Sequence, residues 1–234
     1  MGYLAKLPPD LIERGPGRNP VANAVLYGYG ASIIICNRKF VPHCPSNAAE
    51  FFDTRHFPGE RMLSSFQPIT ALAAAMLAAG KTPDQVFPID MVEARRRLTA
   101  LKPSIGTFYS SGDEALRLLR MGEVPIAYFW SGIVKQMLAN AKDDTWRATW
   151  NDGIRFGMYN ALFKGAPNLP AGVELLRWIH QHPSAVTAET VSEGNLPEGA
   201  AGSGSHADLV IEDDAWYLAH RTEVDDFWSE FVYY

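Results

Sequence analysis

The chain has 234 residues, 47% of them hydrophobic and 20% charged, with a formal net charge of -5. That composition supports a buried core in one large domain or two modest ones. No long basic run occurs, which argues against nucleic acid and anionic membrane surfaces as main partners. The longest apolar candidate, residues 71–79, falls far short of the ~20 residues a membrane helix needs. No signal peptide is read in Met1-Gly2-Tyr3-Leu4, which lacks a charged start, an apolar middle and a cleavage site.

Residues 1–23 are punctuated by Pro8, Pro9, Gly15, Pro16, Gly17 and Pro20, and no element is expected there. Residues 24–36 read as a strand, with Gly28 and Gly30 marking a bend or close backbone approach. Cys36 and Cys44 read as buried or unpaired thiols, with a short-loop disulfide as the alternative. A short helix over 48–52 precedes a turn at Pro58-Gly59. A strand over 61–65 leads to Ser64, Ser65 and Gln67 at its carboxyl end, and Pro68 suits the first turn of a helix over 69–79. A second helix spans 89–101, started by Pro88 and stopped at Pro103. Its cluster Arg95-Arg96-Arg97 reads as a solvated face. Residues 105–109 form a strand.

The stretch 110–132, SSGDEALRLLRMGEVPIAYFWSG, organises the rest. Asp113 is the expected N-cap of a short helix that buries Ala115, Leu118 and Leu119 and stops at Gly122. The run from Val124 to Trp130 suits a parallel strand covered on both faces. A helix over 133–141 follows. Residues 146–150 alternate, Asn151-Asp152-Gly153 reads as a turn, and 154–163 as another long strand. A helix over 171–181 carries Val173, Leu176 and Ile179 on its core face. A long loop is expected over 183–207, and an amphipathic helix or helix pair over 213–233. Alternating strands and helices imply an α/β fold. The long strands 24–36 and 154–163 bracket one lobe, an arrangement that suits a hinged double crossover.

Candidate chemistry gathers just past the carboxyl end of the 124–130 strand, where open α/β sheets bind ligands. Trp130, Ser131 and Gly132 place an aromatic ring, a hydroxyl and helix-start N–H groups there, a cradle for a small molecule. Ser64, Ser65, Ser110, Ser111 and Ser131 offer hydroxyls suited to a carboxylate or oxyanion, or else cap helices and turns. His180 and His182 lack a third metal ligand. Glu212-Asp213-Asp214 and Asp225-Asp226 read as helix-start charges and a solvated face. No G-x-S-x-G, P-loop or spaced Cys/His set occurs, so no catalytic residue, metal site or cofactor is expected.

Several segments in order resemble one family: Tyr29-Gly30-Ala31-Ser32, Glu50-Phe51-Phe52-Asp53 with Phe57-Pro58-Gly59-Glu60-Arg61, Leu101-Lys102-Pro103, Phe129-Trp130-Ser131-Gly132, Asn151-Asp152-Gly153-Ile154, Lys164-Gly165-Ala166-Pro167-Asn168, and the tail from Asp213 to Trp228. Together they are similar to the extracellular solute-binding proteins of bacterial ABC importers, in the spermidine/putrescine-type branch of the type 2 periplasmic-binding fold. The resemblance implies two lobes joined by crossover strands, closing on a small solute that passes to membrane permease subunits. It places the full-length protein in the periplasm or outside the cell. It further implies that roughly a hundred residues precede Met1, leaving the first lobe incomplete. Residues 1–32 would form part of that lobe and a hinge strand, and 33–152 the second lobe. Residues 153–234 would form the return hinge strand and the rest of the first lobe, including the C-terminal helices. Trp130 and Phe156 match the family's aromatic walls. Gln67, Thr70 and Met158 match positions where polyamine binders carry acidic side chains. That departure admits a neutral, zwitterionic or anionic solute as readily as a polyamine. With Tyr29, Ser65, Ser110, Ser111, Ser131 and Gly132 they make the expected ligand-binding set. An enzyme on the same fold, or a remnant that binds nothing, are the other readings.

Overall fold

A computed structural model describes residues 3–12, 23–141, 143–182 and 209–234. The chain divides into two compact units. One holds the described residues up to Gly30 and those from Phe156 to 182; the other holds Ala31–Arg155 and 209–234. Strands β1 (Ala24–Asn37) and β5 (Trp146–Ala161) each contribute residues to both units. They are hydrogen-bonded neighbours in the sheet.

The first unit is small. Helix α1 (Pro9–Ile12) is a single turn where no element was expected. Leu7 and Leu11 pack with Val25 and with Leu176 of α7 (Leu169–Gln181), and Val173 and Ile179 lie against that cluster. These are the helical positions marked as a core face by their spacing. Leu4 bridges Phe163, and Arg177 pairs with Asp10 at 3.0 Å.

The second unit is built on three parallel strands, β2 (Arg61–Ser64), β3 (Ile105–Tyr109) and β4 (Ile126–Trp130), in the order β3-β2-β4. Next to β4 lies β1, antiparallel, then β5 and the short β6 (Val210–Ile211), which runs parallel to β5. Helix α3 (Pro68–Ala78) is buried from Pro68 through Leu77. A helix apolar on every side belongs inside a core. Its alanines let α2 (Ala48–Phe52), α4 (Met91–Leu101) and α8 (Asp214–Tyr233) pack directly on it. Helix α8 is one continuous helix, and it was expected on the first lobe. It joins the second unit instead because Trp216, Val224, Phe227, Trp228 and Phe231 bury against that core.

Other boundaries differ for local reasons. Pro125 cannot donate to a ladder, so β4 starts at Ile126 rather than Val124. Helix α4 is capped by Asp90, whose side chain accepts from Val92 and Glu93 at 3.0 Å. Helix α5 (Gly112–Met121) is capped by Ser111 rather than Asp113, and it ends at Gly122 with φ 74°. The turn expected at 151–153 is a kink inside the unbroken β5. Asp152 takes φ 56°, a left-handed conformation that aspartate tolerates better than most residues. Its carboxylate accepts from Ala48 N at 2.8 Å, and its carbonyl from the Tyr128 hydroxyl at 3.2 Å. Cys36 and Cys44 form a disulfide rather than remaining unpaired thiols. Of the arginine cluster, Arg96 and Arg97 both bond Glu93, while Arg95 lies 4.7 Å over the Phe227 ring. The long loop read at 183–207 lies outside the described residues.

Candidate ligand-binding site

The carboxyl ends of β2, β3 and β4 lie at one edge of the parallel ladder, at Ser64, Tyr109 and Trp130. Each is followed by a helix: α3 from Pro68, α5 from Gly112 and α6 (Ser131–Ala139). Helix starts present unbonded N–H groups and a partial positive charge. Helix α5 satisfies its own start. Ser111 Oγ accepts from Glu114 N, and Ser110 donates from both N and Oγ to Glu114 Oε2 at 2.8 and 2.7 Å. Those bonds hold the Glu114 carboxyl below the usual carboxylate range. Helices α3 and α6 behave otherwise. Their N-cap residues, Gln67 and Trp130, make no side-chain cap bond. The two side chains bond each other instead: Trp130 Nε1 donates to Gln67 Oε1 at 2.7 Å.

The half-buried indole of Trp130 is held on several sides. It stacks on Phe129 at 6.0 Å and 19°, and meets Tyr109 edge-on at 6.2 Å. Phe66 meets it at 6.0 Å and meets Tyr109 at 6.3 Å. Phe66 is 49% exposed, so this aromatic group opens to solvent. Gly112 lets α5 begin against the ring, since a Cβ there would lie 3.0 Å from Trp130 Cζ3.

The expected site residues fall into three groups. Trp130, Gln67, Thr70 and Gly132 stand on the first turns of α3 and α6 or at their caps. Ser65, Ser110, Ser111 and Ser131 lie at the same edge, but their hydroxyls serve the fold or are hidden. Ser65 Oγ donates to the Tyr109 carbonyl at 3.1 Å, Ser110 and Ser111 cap α5, and Ser131 is 2% exposed. Tyr29, Phe156 and Met158 are half-buried residues of the first unit. There, the Phe156 ring lies over Gly30, where a Cβ would come within 2.5 Å of it.

Two residues at this edge escaped the sequence reading. Phe66 sits between three expected positions and needed only its place in Ser64-Ser65-Phe66-Gln67 to be found. Glu212 had no local signal. It follows β6, and its Oε1 accepts from the hydroxyl of Thr70, itself 5% exposed, at 3.4 Å. Burial first, then the nearby Asp214, push the Glu212 carboxyl up to about 8, against a smaller opposing effect of the Thr70 bond. Among the described residues it forms no ion pair. Residues 64–67 are held by α8, where Trp228 Nε1 donates to the Ser65 carbonyl at 2.9 Å. No cluster of three metal-ligating side chains occurs among the described residues. Nor does any described helix have the length and apolarity to cross a membrane.

Residues 3–197 match the family described as bacterial extracellular solute-binding protein. An ABC transporter substrate-binding protein from Bradyrhizobium japonicum USDA 110 is 26% identical with TM-score 0.76, over 98% of this chain and 77% of that one. The PBP MotA from A. tumefaciens B6, in complex with glucopine, is 25% identical with TM-score 0.81, over 98% of this chain and 78% of that one. The Atu4243-GABA receptor shares the fold at 23% identity and TM-score 0.78, over 98% and 75%. No curated protein gave a significant match. The chain belongs to the bacterial extracellular solute-binding proteins.

Proposed function

We propose that this chain captures a small polar organic solute for an ABC importer and delivers it to permease subunits outside the cytoplasm. One observation carries the reading. Gln67 spends its amide oxygen on the indole N–H of Trp130, and an indole has no acceptor to offer, so the starts of α3 and α6 have no side-chain caps beside an indole that reaches solvent. Uncapped helix starts suit an oxyanion or carboxylate of the solute, and the indole face suits an apolar or cationic part. The Bradyrhizobium japonicum protein named above as an ABC transporter substrate-binding protein supports the importer role. The Cys36–Cys44 disulfide supports an oxidising compartment, such as the periplasm. A polyamine-only specificity receives no support from Gln67, Thr70 and Met158, none of which is acidic. The recognition proposed here involves no bond-breaking step.

A thermal-shift screen of amines, amino acids, carboxylates and sugars tests the reading. A solute at 100 times its Kd stabilises the native chain by about 2.7 kcal/mol. Trp130→Ala is expected to abolish the shift. A wild-type chain unmoved by every class, or a shift unchanged in Trp130→Ala, refutes the proposal.

A further inference from the structure

We infer that Glu212 anchors an ammonium group of the solute, so that the captured molecule carries a cationic nitrogen; this rests on the solute-capture reading above. The placement argues for it. Glu212 bonds Thr70 on the first turn of α3, and the same turn is entered through Gln67, which holds the indole of Trp130. A carboxyl, a hydroxyl and an aromatic ring thus share one helix start. No described cation pairs with this carboxyl, and removal from water leaves it protonated near neutral pH. A buried ammonium needs an anionic partner, and an aromatic face adds attraction. Binding therefore shifts the Glu212 proton to solvent and leaves a carboxylate–ammonium pair.

The neighbours of Glu212 do not supply that cation. Asp213 and Asp214 begin α8, and Asp214 opposes ionisation. Tyr217 on α8 is itself pushed up to about 12 by burial and by its bond to Asp225. Asp84 lies on the short helical turn Pro83–Gln85 packed on β6, and accepts from Thr82. Helix α3 has no charged residue. Arg155 is the charged residue of β5 in register with β6, and its carbonyl accepts from Glu212 N at 2.9 Å. It is not among the groups that shift Glu212.

Calorimetry with matched probes tests the inference: 4-aminobutanoate against 4-hydroxybutanoate, and 1,4-diaminobutane against 1,4-butanediol. At least one ammonium probe is expected to bind at least tenfold tighter than its hydroxyl partner. Titration at pH 7 in buffers of different ionisation enthalpy is expected to show release of about 0.9 proton per ligand, the protonated fraction of an acid titrating near 8. Affinity should rise with pH from 6 to 8. Glu212→Gln, with its fold checked by circular dichroism, should lose at least tenfold for the ammonium probe and show no buffer dependence. The proton count uses the wild type alone, so it stands even if the variant does not fold. Equal binding of the paired probes, binding without proton release, or an unchanged affinity in Glu212→Gln overturns the role of Glu212 while solute capture survives. Ammonium probes inert in a chain that other compounds stabilise also overturn it. Silence across the whole screen overturns the solute reading as well.

Discussion

Glu212 also sets a test of stability that needs no ligand. Its carboxyl titrates at about 8 in the folded chain, against roughly 4.3 for an unperturbed glutamate. Between those values the native state holds a proton that the unfolded state has released. Stability is therefore intact below about pH 4, falls as pH rises through the window, and levels off above about pH 8. For a wholly buried group the integrated loss at pH 7 is about 3.6 kcal/mol. Glu212 keeps some contact with solvent, which reduces that figure to roughly 1–2 kcal/mol. Glu212→Gln has no proton to lose and retains an acceptor for Thr70. Urea unfolding of both chains from pH 4 to 9, followed by tryptophan fluorescence, measures the difference. Five of the six tryptophans, at 130, 146, 150, 216 and 228, lie in the second unit, so the signal reports the unit containing Glu212. The stability gap should open between pH 5 and 8 in favour of the variant and stay constant above that. Parallel curves across the range would show that Glu212 is ionised in the native chain at neutral pH, and the reasoning would fail.

Three further outcomes follow from the second unit. Removing the disulfide with Cys36→Ala and Cys44→Ala frees a cross-link of sequence separation 8; loop-closure entropy puts the loss at about 2–3 kcal/mol, read by denaturant unfolding under oxidising conditions. Arg61 is 0% exposed and donates to the carbonyls of Phe51, Phe57 and Gly59. Burial lowers its guanidinium to about 10, yet Arg61→Lys should destabilise by roughly 2–4 kcal/mol, because an ammonium cannot reproduce a fork serving three acceptors; a melting temperature unchanged within a degree would contradict this. Gly112→Ala places a methyl 3.0 Å from the Trp130 ring. Helix propensity favours alanine by about 1 kcal/mol, so stability should hold while solute affinity drops several-fold, measured by calorimetry on any ligand the screen finds.

What the sequence made legible was local. The stop of α5 is written in Gly122 and the parallel strand before Trp130 in an unbroken apolar run, whereas the start of α5 lies at Ser111 and not at the expected Asp113. Nearby residues decide such features through caps, glycine φ angles and side-chain period. The rest depends on partners far along the chain. Asn151-Asp152-Gly153 carries a turn signal, but the Asp152 carboxylate accepts from Ala48, 104 residues earlier, and β5 runs on through the kink. Gln67 and Trp130 meet across 63 residues, so the engagement of the Gln67 amide oxygen could not be recognised locally. Glu212 looked like a helix-start charge beside Asp213 and Asp214. Its partner Thr70 is 142 residues away, and only the packing of β6 and α8 brings the two together. The place of α8 was equally hidden, because an amphipathic period says that a face will be buried and not which core will bury it.

The electrostatics at the start of α3 can be weighed directly. A carboxyl beside a helix N-terminus gains about 0.3–1 kcal/mol on ionising, which alone would lower its pKa by less than one unit. Glu212 bonds Thr70 within that first turn, so it receives this help and a hydroxyl besides. Its carboxyl nonetheless titrates near 8, so withdrawal from water and the charge of Asp214 outweigh the helix several-fold. The same helix start can therefore hold two kinds of ligand group at once. Its N–H groups, with those of α6, remain available to a solute oxyanion because Gln67 and Trp130 do not cap them. The protonated Glu212 beside them does not repel that oxyanion, as an ionised carboxylate would. Once an ammonium arrives, Glu212 ionises against it and the charges at the site balance. A zwitterion satisfies both conditions, whereas a diamine leaves the helix starts without an anion and a dicarboxylate leaves Glu212 protonated. The order expected among probes of similar length is therefore amino acid first, diamine second and dicarboxylate last.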